Sequence, residues 1–122
     1  MIIIAQNLRE LADSVVYLRT NCNHRDYPTE FQTYDEAWDS LRQSLNHLES
    51  KLGVARRAQL CEMTAQAKTH YDGAYGKSAS VKSDDPDLEG IKLGSWLMQD
   101  IEFVVKGKSP FAYPEGLYRW PR

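Results

Sequence analysis

The stretch that decides the fold of this chain is residues 31–52, with the sequence FQTYDEAWDSLRQSLNHLESKL. Its apolar side chains recur at alternating steps of three and four residues, which is the spacing that lines one face of an α-helix. The members of this stripe are Phe31, Tyr34, Trp38, Leu41, Leu45, Leu48 and Leu52. The pattern predicts a single long helix that packs against other helices and ends at Gly53. Because the stripe carries no reactive group, it indicates a helical binding protein.

A helix is also predicted before this stretch, from about Ala5 to Cys22. Its apolar side chains follow the same spacing. They are Ile4, Leu8, Leu11, Val15, Leu18 and Cys22. The Tyr27-Pro28 step disfavours helical geometry and separates the two helices.

The start of the second helix is left open by the sequence. Thr29 with Gln32 and Thr33 with Glu36 both have the spacing of a capping box. From Tyr34 onward the helix is predicted without interruption.

Two more helices follow in the prediction. An alanine-rich third helix runs from Val54 to Tyr71 or Tyr75, and its very short link to the second helix favours an antiparallel hairpin. A fourth helix begins at Asp85-Pro86, since aspartate is a favoured N-cap and proline is favoured at the first helical position. This helix carries a wide apolar face as far as Val105. The predicted fold class is all-α, a compact antiparallel four-helix bundle.

The chain is predicted to form a single helical domain over residues 1–122, with its core in residues 4–106. Residues 76–84 are small and polar and indicate an exposed loop. Residues 107–122 form an aromatic tail whose three prolines forbid a regular helix. We expect this tail to lie extended and packed on the bundle. The competing interpretation is an exposed strap that binds a partner.

Composition excludes several classes of protein. A net charge of -2 gives no general attraction to nucleic acid or anionic lipid. The apolar run 1–5 is too short for a membrane span or a signal sequence. Two cysteines, Cys22 and Cys61, do not make a disulfide framework. We expect a cytoplasmic protein without nucleic-acid or membrane partners, and we leave open whether it forms a homodimer.

No catalytic or metal-binding constellation stands out. The histidines are His24, His47 and His70, and none has a partner motif for nucleophilic catalysis. Cys22 and His24 could form a metal pair, but no second pair has ligand spacing. Gly90 and Gly94 lack the spacing of a phosphate loop and are interpreted as sites of close helix approach. We expect no enzyme, no cofactor and no metal.

Acidic side chains gather in two segments. Residues 26–39 hold five acids and no lysine or arginine, and a second group lies at residues 84–89. Acids near a helix start complement the helix dipole and need no partner. The alternative is that they bind a basic partner.

The order of these features resembles a known family. The features are an apolar first helix, the Tyr27-Pro28 turn, a long second helix beginning Tyr34-Asp35-Glu36-Ala37, an alanine-rich third helix, and Asp84-Asp85-Pro86-Asp87-Leu88 opening the last. Over about residues 8–105 they resemble the small all-helical immunity proteins that bacteria carrying type VI secretion systems make against NAD(P)+-hydrolysing effectors. The longer third helix, the longer loop and the aromatic tail depart from that pattern.

The resemblance implies an inhibitor that binds a cognate toxin in the producing cell and blocks its active site. The predicted interface combines tyrosines, which are frequent anchors, with acids that set register and association rate. Its residues are Tyr27, Glu30, Tyr34, Asp35, Tyr71, Tyr75, Asp84, Asp85 and Asp87.

Two other classes of function stay open. A helical adaptor, including a phage-encoded inhibitor of host defence, would use the same surfaces on another protein. A small enzyme would work through carboxylates such as Asp35 and Asp39.

Overall fold

The computed structural model describes residues 1–77 and 88–108, and every regular element in this part of the chain is a helix. The helices are α1 (Leu8–His24), α2 (Tyr34–His47), α3 (Glu49–Leu52), α4 (Val54–Lys77) and α5 (Leu88–Val105). The all-α prediction is therefore confirmed for the described residues. The predicted helix start at Asp85-Pro86, most of the predicted loop and nearly all of the tail lie outside them.

The first helix begins and ends later than predicted. Asn7 is its N-cap, with extended backbone, and its side-chain oxygen accepts a hydrogen bond from the Glu10 backbone N–H at 2.8 Å. The helix then continues past Cys22 to His24, where Arg25 ends it in the left-handed conformation with φ of 55°. Apolar spacing predicted the correct face, but the asparagine cap sets the boundary.

The residues before α1 lie along α2 as an extended segment, residues 1–6, which we call the N-terminal segment. Its backbone N–H groups donate to two serine hydroxyls one turn apart on α2: Ile3 to Ser40 Oγ at 3.0 Å, and Ala5 to Ser44 Oγ at 2.9 Å. Gln32 Nε2 donates to the carbonyl of Met1 at 3.1 Å. These serines therefore satisfy backbone groups that would otherwise be unpaired against a helix.

Removing one of these hydroxyls should destabilise the fold. Ser44 is 1% exposed and Ala5 3%, so Ser44→Ala leaves a buried N–H without its acceptor. We expect a loss of about 1 kcal/mol in the free energy of unfolding. Urea unfolding measures the loss, and faster hydrogen exchange of the Ala5 amide localises it.

Ser14→Ala is the matched control, because the Ser14 hydroxyl donates to the Glu10 carbonyl within α1. Removing this hydroxyl leaves no backbone N–H without an acceptor, so we expect the free energy of unfolding to change by less than about 0.5 kcal/mol. Equal effects of the two substitutions would mean that the Ser44 contact does not hold the N-terminal segment.

The structure chooses the second of the two capping boxes. Thr33 caps α2 by accepting from the Glu36 backbone, while the Glu36 carboxylate accepts from the Thr33 backbone. Thr29 and Gln32 form a separate turn before the helix. Phe31 consequently lies outside α2 and is 54% exposed, so its predicted place in the helical stripe is wrong.

The predicted single long helix is interrupted at Leu48. The backbone of this residue has φ of -99° and ψ of 16°, so α2 ends at His47 and α3 follows as one short turn. The Leu48 and Leu52 side chains stay buried, at 3% and 5% exposed. Spacing could not reveal the break, because the apolar stripe continues across it. The predicted stop at Gly53 is confirmed, with φ of 87°.

The third predicted helix is longer than expected. It forms α4, which continues through Gly76 to Lys77, where a loop was predicted. Its most extensive contact is with α5, and α5 also packs on α1.

Among the five helices described, none combines the length and hydropathy of a bilayer-spanning segment.

Close approach of α4 and α5 depends on Gly94. A Cβ atom at this position would lie 2.7 Å from Cε2 of Tyr71. Tyr71 is fully buried, and its hydroxyl donates to Asn23 Oδ1 at 2.5 Å. The interpretation of Gly94 as a site of close helix approach is therefore confirmed.

Candidate partner-binding surface

Three tyrosines from separate elements meet at one edge of the helices, and we call Tyr27, Tyr34 and Tyr75 the tyrosine cluster. The ring centroids of Tyr27 and Tyr34 are 6.1 Å apart, and those of Tyr34 and Tyr75 are 4.8 Å apart. Tyr27 lies in the turn before α2, Tyr34 is the first residue of α2, and Tyr75 belongs to the last turns of α4. The fold thus brings together three tyrosines of the predicted interface that come from two distant regions of the chain.

The cluster continues into the core through Trp38. Its ring lies 6.2 Å from that of Tyr34 and 6.0 Å from that of Tyr71. Trp38 and Tyr71 are almost completely buried, whereas the three residues of the cluster are only partly buried. Tyr71, a predicted interface residue, therefore supports the surface from below and presents no area of its own to a partner.

Hydrogen bonds hold two of the cluster's three hydroxyl groups in place, those of Tyr34 and Tyr75. Tyr34 donates to Asp72 Oδ1 at 2.7 Å, and Tyr75 donates to the backbone carbonyl of Cys22 at 2.9 Å. Lys68 Nζ pairs with the other Asp72 oxygen at 2.9 Å. Because these partners belong to the same chain, the two rings are positioned without any ligand.

Cations lie over two of the rings. The guanidinium carbon of Arg25 is 5.1 Å from the centroid of Tyr75, and Lys68 Nζ is 5.5 Å from that of Tyr34. Such contacts favour a fixed ring orientation. Sequence analysis missed Arg25, Lys68 and Asp72. The signal for Asp72 was its place beside Tyr71 and four residues after Lys68 on one helix.

The acidic residues predicted for the interface divide into two groups. Glu30 and Asp35 are exposed, with Asp35 adjacent to Tyr34 in the first turn of α2. Asp84, Asp85 and Asp87 lie outside the described residues, and their place in the interface stays a prediction.

Two side chains that the sequence left open for chemistry lie within the described residues. Asp39, a carboxylate considered for catalysis, is exposed and pairs with Arg42 at 3.1 Å. Burial raises the pKa of the Cys22 thiol to about 12, so it is protonated at neutral pH. No group of three potential metal ligands occurs in residues 1–77 or 88–108.

Burial raises the pKa of all three hydroxyls in the tyrosine cluster and that of Tyr71. For Tyr34, the hydrogen bond to Asp72 raises the pKa further. The folded state therefore favours the neutral phenol. This contribution to stability is complete below the unfolded-chain pKa of about 10 and is lost as pH rises toward the higher folded values.

We accordingly expect the protein to unfold in alkali, with stability falling steeply above about pH 10. Four of its seven tyrosines should ionise only together with the loss of helix. Tyrosinate absorbance and circular dichroism, recorded on the same samples, test this. Protein unfolded in urea is the control. Full ionisation with unchanged helix content would contradict the expectation.

No family model, curated protein or solved structure matches the chain. The class that the fold and the surface define is an all-helical protein with a preorganised aromatic surface patch.

Proposed function

We propose that the chain is an immunity protein that binds a cognate secreted toxin and occludes its active site. The observation that carries the proposal is the tyrosine cluster, a partly exposed aromatic surface in which the chain's own hydrogen bonds hold Tyr34 and Tyr75 in place. The kind of toxin, an NAD(P)+-consuming effector, comes from the family resemblance. We further propose that α2 and α3 act as one interrupted helix in a four-helix bundle, that the tail packs on it, and that the protein works in the cytoplasm.

A fixed aromatic surface suits tight binding. Tyrosine combines a large apolar ring with a polar hydroxyl, and it is enriched among residues that dominate binding energy. Because Tyr34 and Tyr75 are already held by Asp72 and the Cys22 carbonyl, they lose little conformational freedom when a partner docks.

Two acids beside the cluster suit a basic partner, whereas the cations over its rings, Arg25 and Lys68, already have partners within the chain. Glu30 and Asp35 are exposed, and the structure gives them no hydrogen bond or ion pair within the described residues. Exposed charges of this kind steer association and set its rate more than its final strength. An adaptor would use the same features, so the activity of the partner distinguishes an immunity protein from an adaptor.

The deciding experiment uses a secreted protein encoded beside the gene for this chain. The two proteins are co-expressed and purified, and NAD(P)+ hydrolysis is measured as this chain is added. Inhibition complete at a one-to-one ratio supports the proposal. A stable complex without any NAD(P)+ hydrolysis to inhibit, or no complex, would favour the adaptor.

Charge reversal tests the predicted surface. Asp35→Lys should slow association with a basic partner by about tenfold at low salt, because it replaces an attractive charge by a repulsive one. Stopped-flow association rates at two salt concentrations measure the effect, which added salt should reduce.

Glu62→Lys is the control, since Glu62 is exposed on α4 and the substitution makes the same change in net charge. We expect a much smaller effect on the rate. If both variants slow association equally, only overall charge matters and the acids beside the cluster are not part of the interface. The triple reversal of Asp84, Asp85 and Asp87 extends the test to the second acidic segment.

A further inference from the structure

We propose that two copies of this chain associate through their N-terminal segments, which pair edge to edge as antiparallel strands. The N-terminal segment, residues 1–6, is extended and lies along α2. Every regular element in residues 1–77 and 88–108 is a helix, so this part of the chain offers the segment no neighbouring strand. The association does not depend on the proposed function.

One edge of the N-terminal segment is occupied and the other is free. Ile3 and Ala5 donate their backbone N–H groups to serine hydroxyls of α2. In an extended chain the N–H and C=O groups of successive residues point to opposite sides, so those of Ile2 and Ile4 face away from α2. The structure gives the N–H groups of Ile2 and Ile4 no hydrogen bond within the described residues.

The free edge lacks the features that prevent strands from pairing. Natural proteins protect such edges with charged side chains, proline or bulges. The N-terminal segment reads MIIIAQ, with neither a charged side chain nor a proline, and its three isoleucines are β-branched and favour strands. Ile2 is 39% exposed and Ile3 is 50% exposed. An exposed and uncharged edge of this kind favours the addition of another extended chain.

A second copy is the extended chain that these features favour. Because the segment carries no charged side chain, two copies meet without repulsion between side chains. The terminal amine of Met1 is already paired with the Glu36 carboxylate of its own chain. A two-fold arrangement uses the same surface on both copies, so it closes both free edges at once and leaves none for a third chain.

Hydrogen bonds within the chain determine the register. The Gln6 N–H donates to Glu10 Oε1 at 3.1 Å, so the free edge ends before Gln6. Ile2 and Ile4 remain, and an antiparallel pair satisfies both when Ile2 of one copy lies opposite Ile4 of the other. The Ile4 carbonyl accepts from Gln6 Nε2 at 3.0 Å and has a second lone pair for this contact. In this register the Ile3 residues of the two copies face each other.

An apolar groove beside the segment adds contact area. Ile3 and Tyr17 both border this groove, and Tyr17 is 48% exposed. Ile3 of each copy lies on the same face of the strand pair, so the two grooves open on that face. The interface is still small beside the total of about 1,000 Å² that specific interfaces bury. We therefore expect a weak dimer, with a dissociation constant of about 10–100 µM.

Sedimentation equilibrium of the full chain measures the association, from about 1 µM to about 0.5 mM. The mass should rise from that of one chain toward that of two. Ile2→Pro should weaken the dimer at least about tenfold, because proline is apolar but has no N–H to donate. Ile2→Val, which keeps the N–H and the β-branch, is the matched control and should change the affinity by about twofold at most. Since the Ile2 N–H makes no hydrogen bond within one copy, both variants should keep the circular dichroism of the parent.

Cysteine cross-linking tests the register. Facing residues at such a position have Cα atoms about 4.5 Å apart, which suits a disulfide. Ile3→Cys is made in a Cys61→Ser chain, so that buried Cys22 is the other thiol present. Mild oxidation with diamide should then give a cross-linked dimer. Val54→Cys in the same background is the control, because Val54 is 67% exposed but lies at the start of α4. It should cross-link at least about tenfold more slowly.

Four results would overturn the proposal. A mass of one chain at every concentration would exclude the dimer, and equal affinities of Ile2→Pro and Ile2→Val would exclude pairing of main chains. Equal cross-linking of Ile3→Cys and Val54→Cys would exclude the register. Slow hydrogen exchange of the Ile4 amide at the lowest concentration would mean that another part of the same chain covers the edge. None of these results bears on inhibition of a toxin, so the two proposals can fail separately.

Discussion

Replacing Trp38 by alanine is expected to lower the free energy of unfolding by about 3–5 kcal/mol. The Trp38 side chain is 3% exposed and packs against the rings of Tyr34 and Tyr71. Truncation would leave a large cavity at the junction of α2 and α4 and would remove the support of the tyrosine cluster. Urea unfolding followed by circular dichroism measures the loss.

Phe31→Ala is the matched control for this substitution. Both residues belong to the apolar stripe in the sequence, but Phe31 is 54% exposed. We expect its truncation to cost less than about 1 kcal/mol. Leu45→Ala, at a position that is 0% exposed, should cost about 2–5 kcal/mol. Similar small losses for Trp38 and Phe31 would place Trp38 outside the core.

Gly94→Ala should destabilise the protein by about 1–3 kcal/mol, although alanine is the better helix former. The added Cβ would lie 2.7 Å from the Tyr71 ring. That ring cannot easily move away, because it is fully buried and its hydroxyl is bonded to Asn23. Either α5 must shift from α4, or the Tyr71 hydrogen bond must break.

Gly73→Ala provides a control of opposite sign. This glycine lies in α4, on which α5 packs, but a Cβ there would meet no atom within 4 Å in the described structure. We expect a gain of up to about 1 kcal/mol from helix propensity alone. The two substitutions should therefore change the free energy of unfolding in opposite directions, and thermal unfolding measures the sign of each change. A gain in both variants would show that α4 and α5 are not packed as closely as described.

Periodicity predicted the helices well and their ends poorly, for a physical reason. The spacing of apolar residues records which face is buried, and α1, α2, α4 and α5 all follow it. Boundaries depend on single polar contacts, such as the cap at Asn7, and on backbone angles, such as those at Leu48. The spacing of apolar residues carries no information about caps or backbone angles.

The candidate site could be predicted only in part. Tyrosines were selected as typical interface residues, and the fold gathers Tyr27, Tyr34 and Tyr75. The sequence could not show that the Tyr71 side chain is buried while that of Tyr75 is partly exposed, because the two residues lie one turn apart on the same helix. It also could not identify Asn23 as the hydrogen-bond partner of Tyr71, because that contact joins residues far apart in the chain.

The hydrogen bonds of the tyrosine cluster have a consequence for how such a surface can evolve. Tyr34 and Tyr75 are bonded to Asp72 and to the end of α1, so under the proposed function substitution of either ring would disturb the fold together with recognition. Glu30 and Asp35 carry no such tie within the described residues, and they can change at little cost in stability. Selection for a new partner can therefore act first on these acids, while the aromatic anchors are inherited unchanged. Divergence of specificity would then proceed by charge, one exposed position at a time.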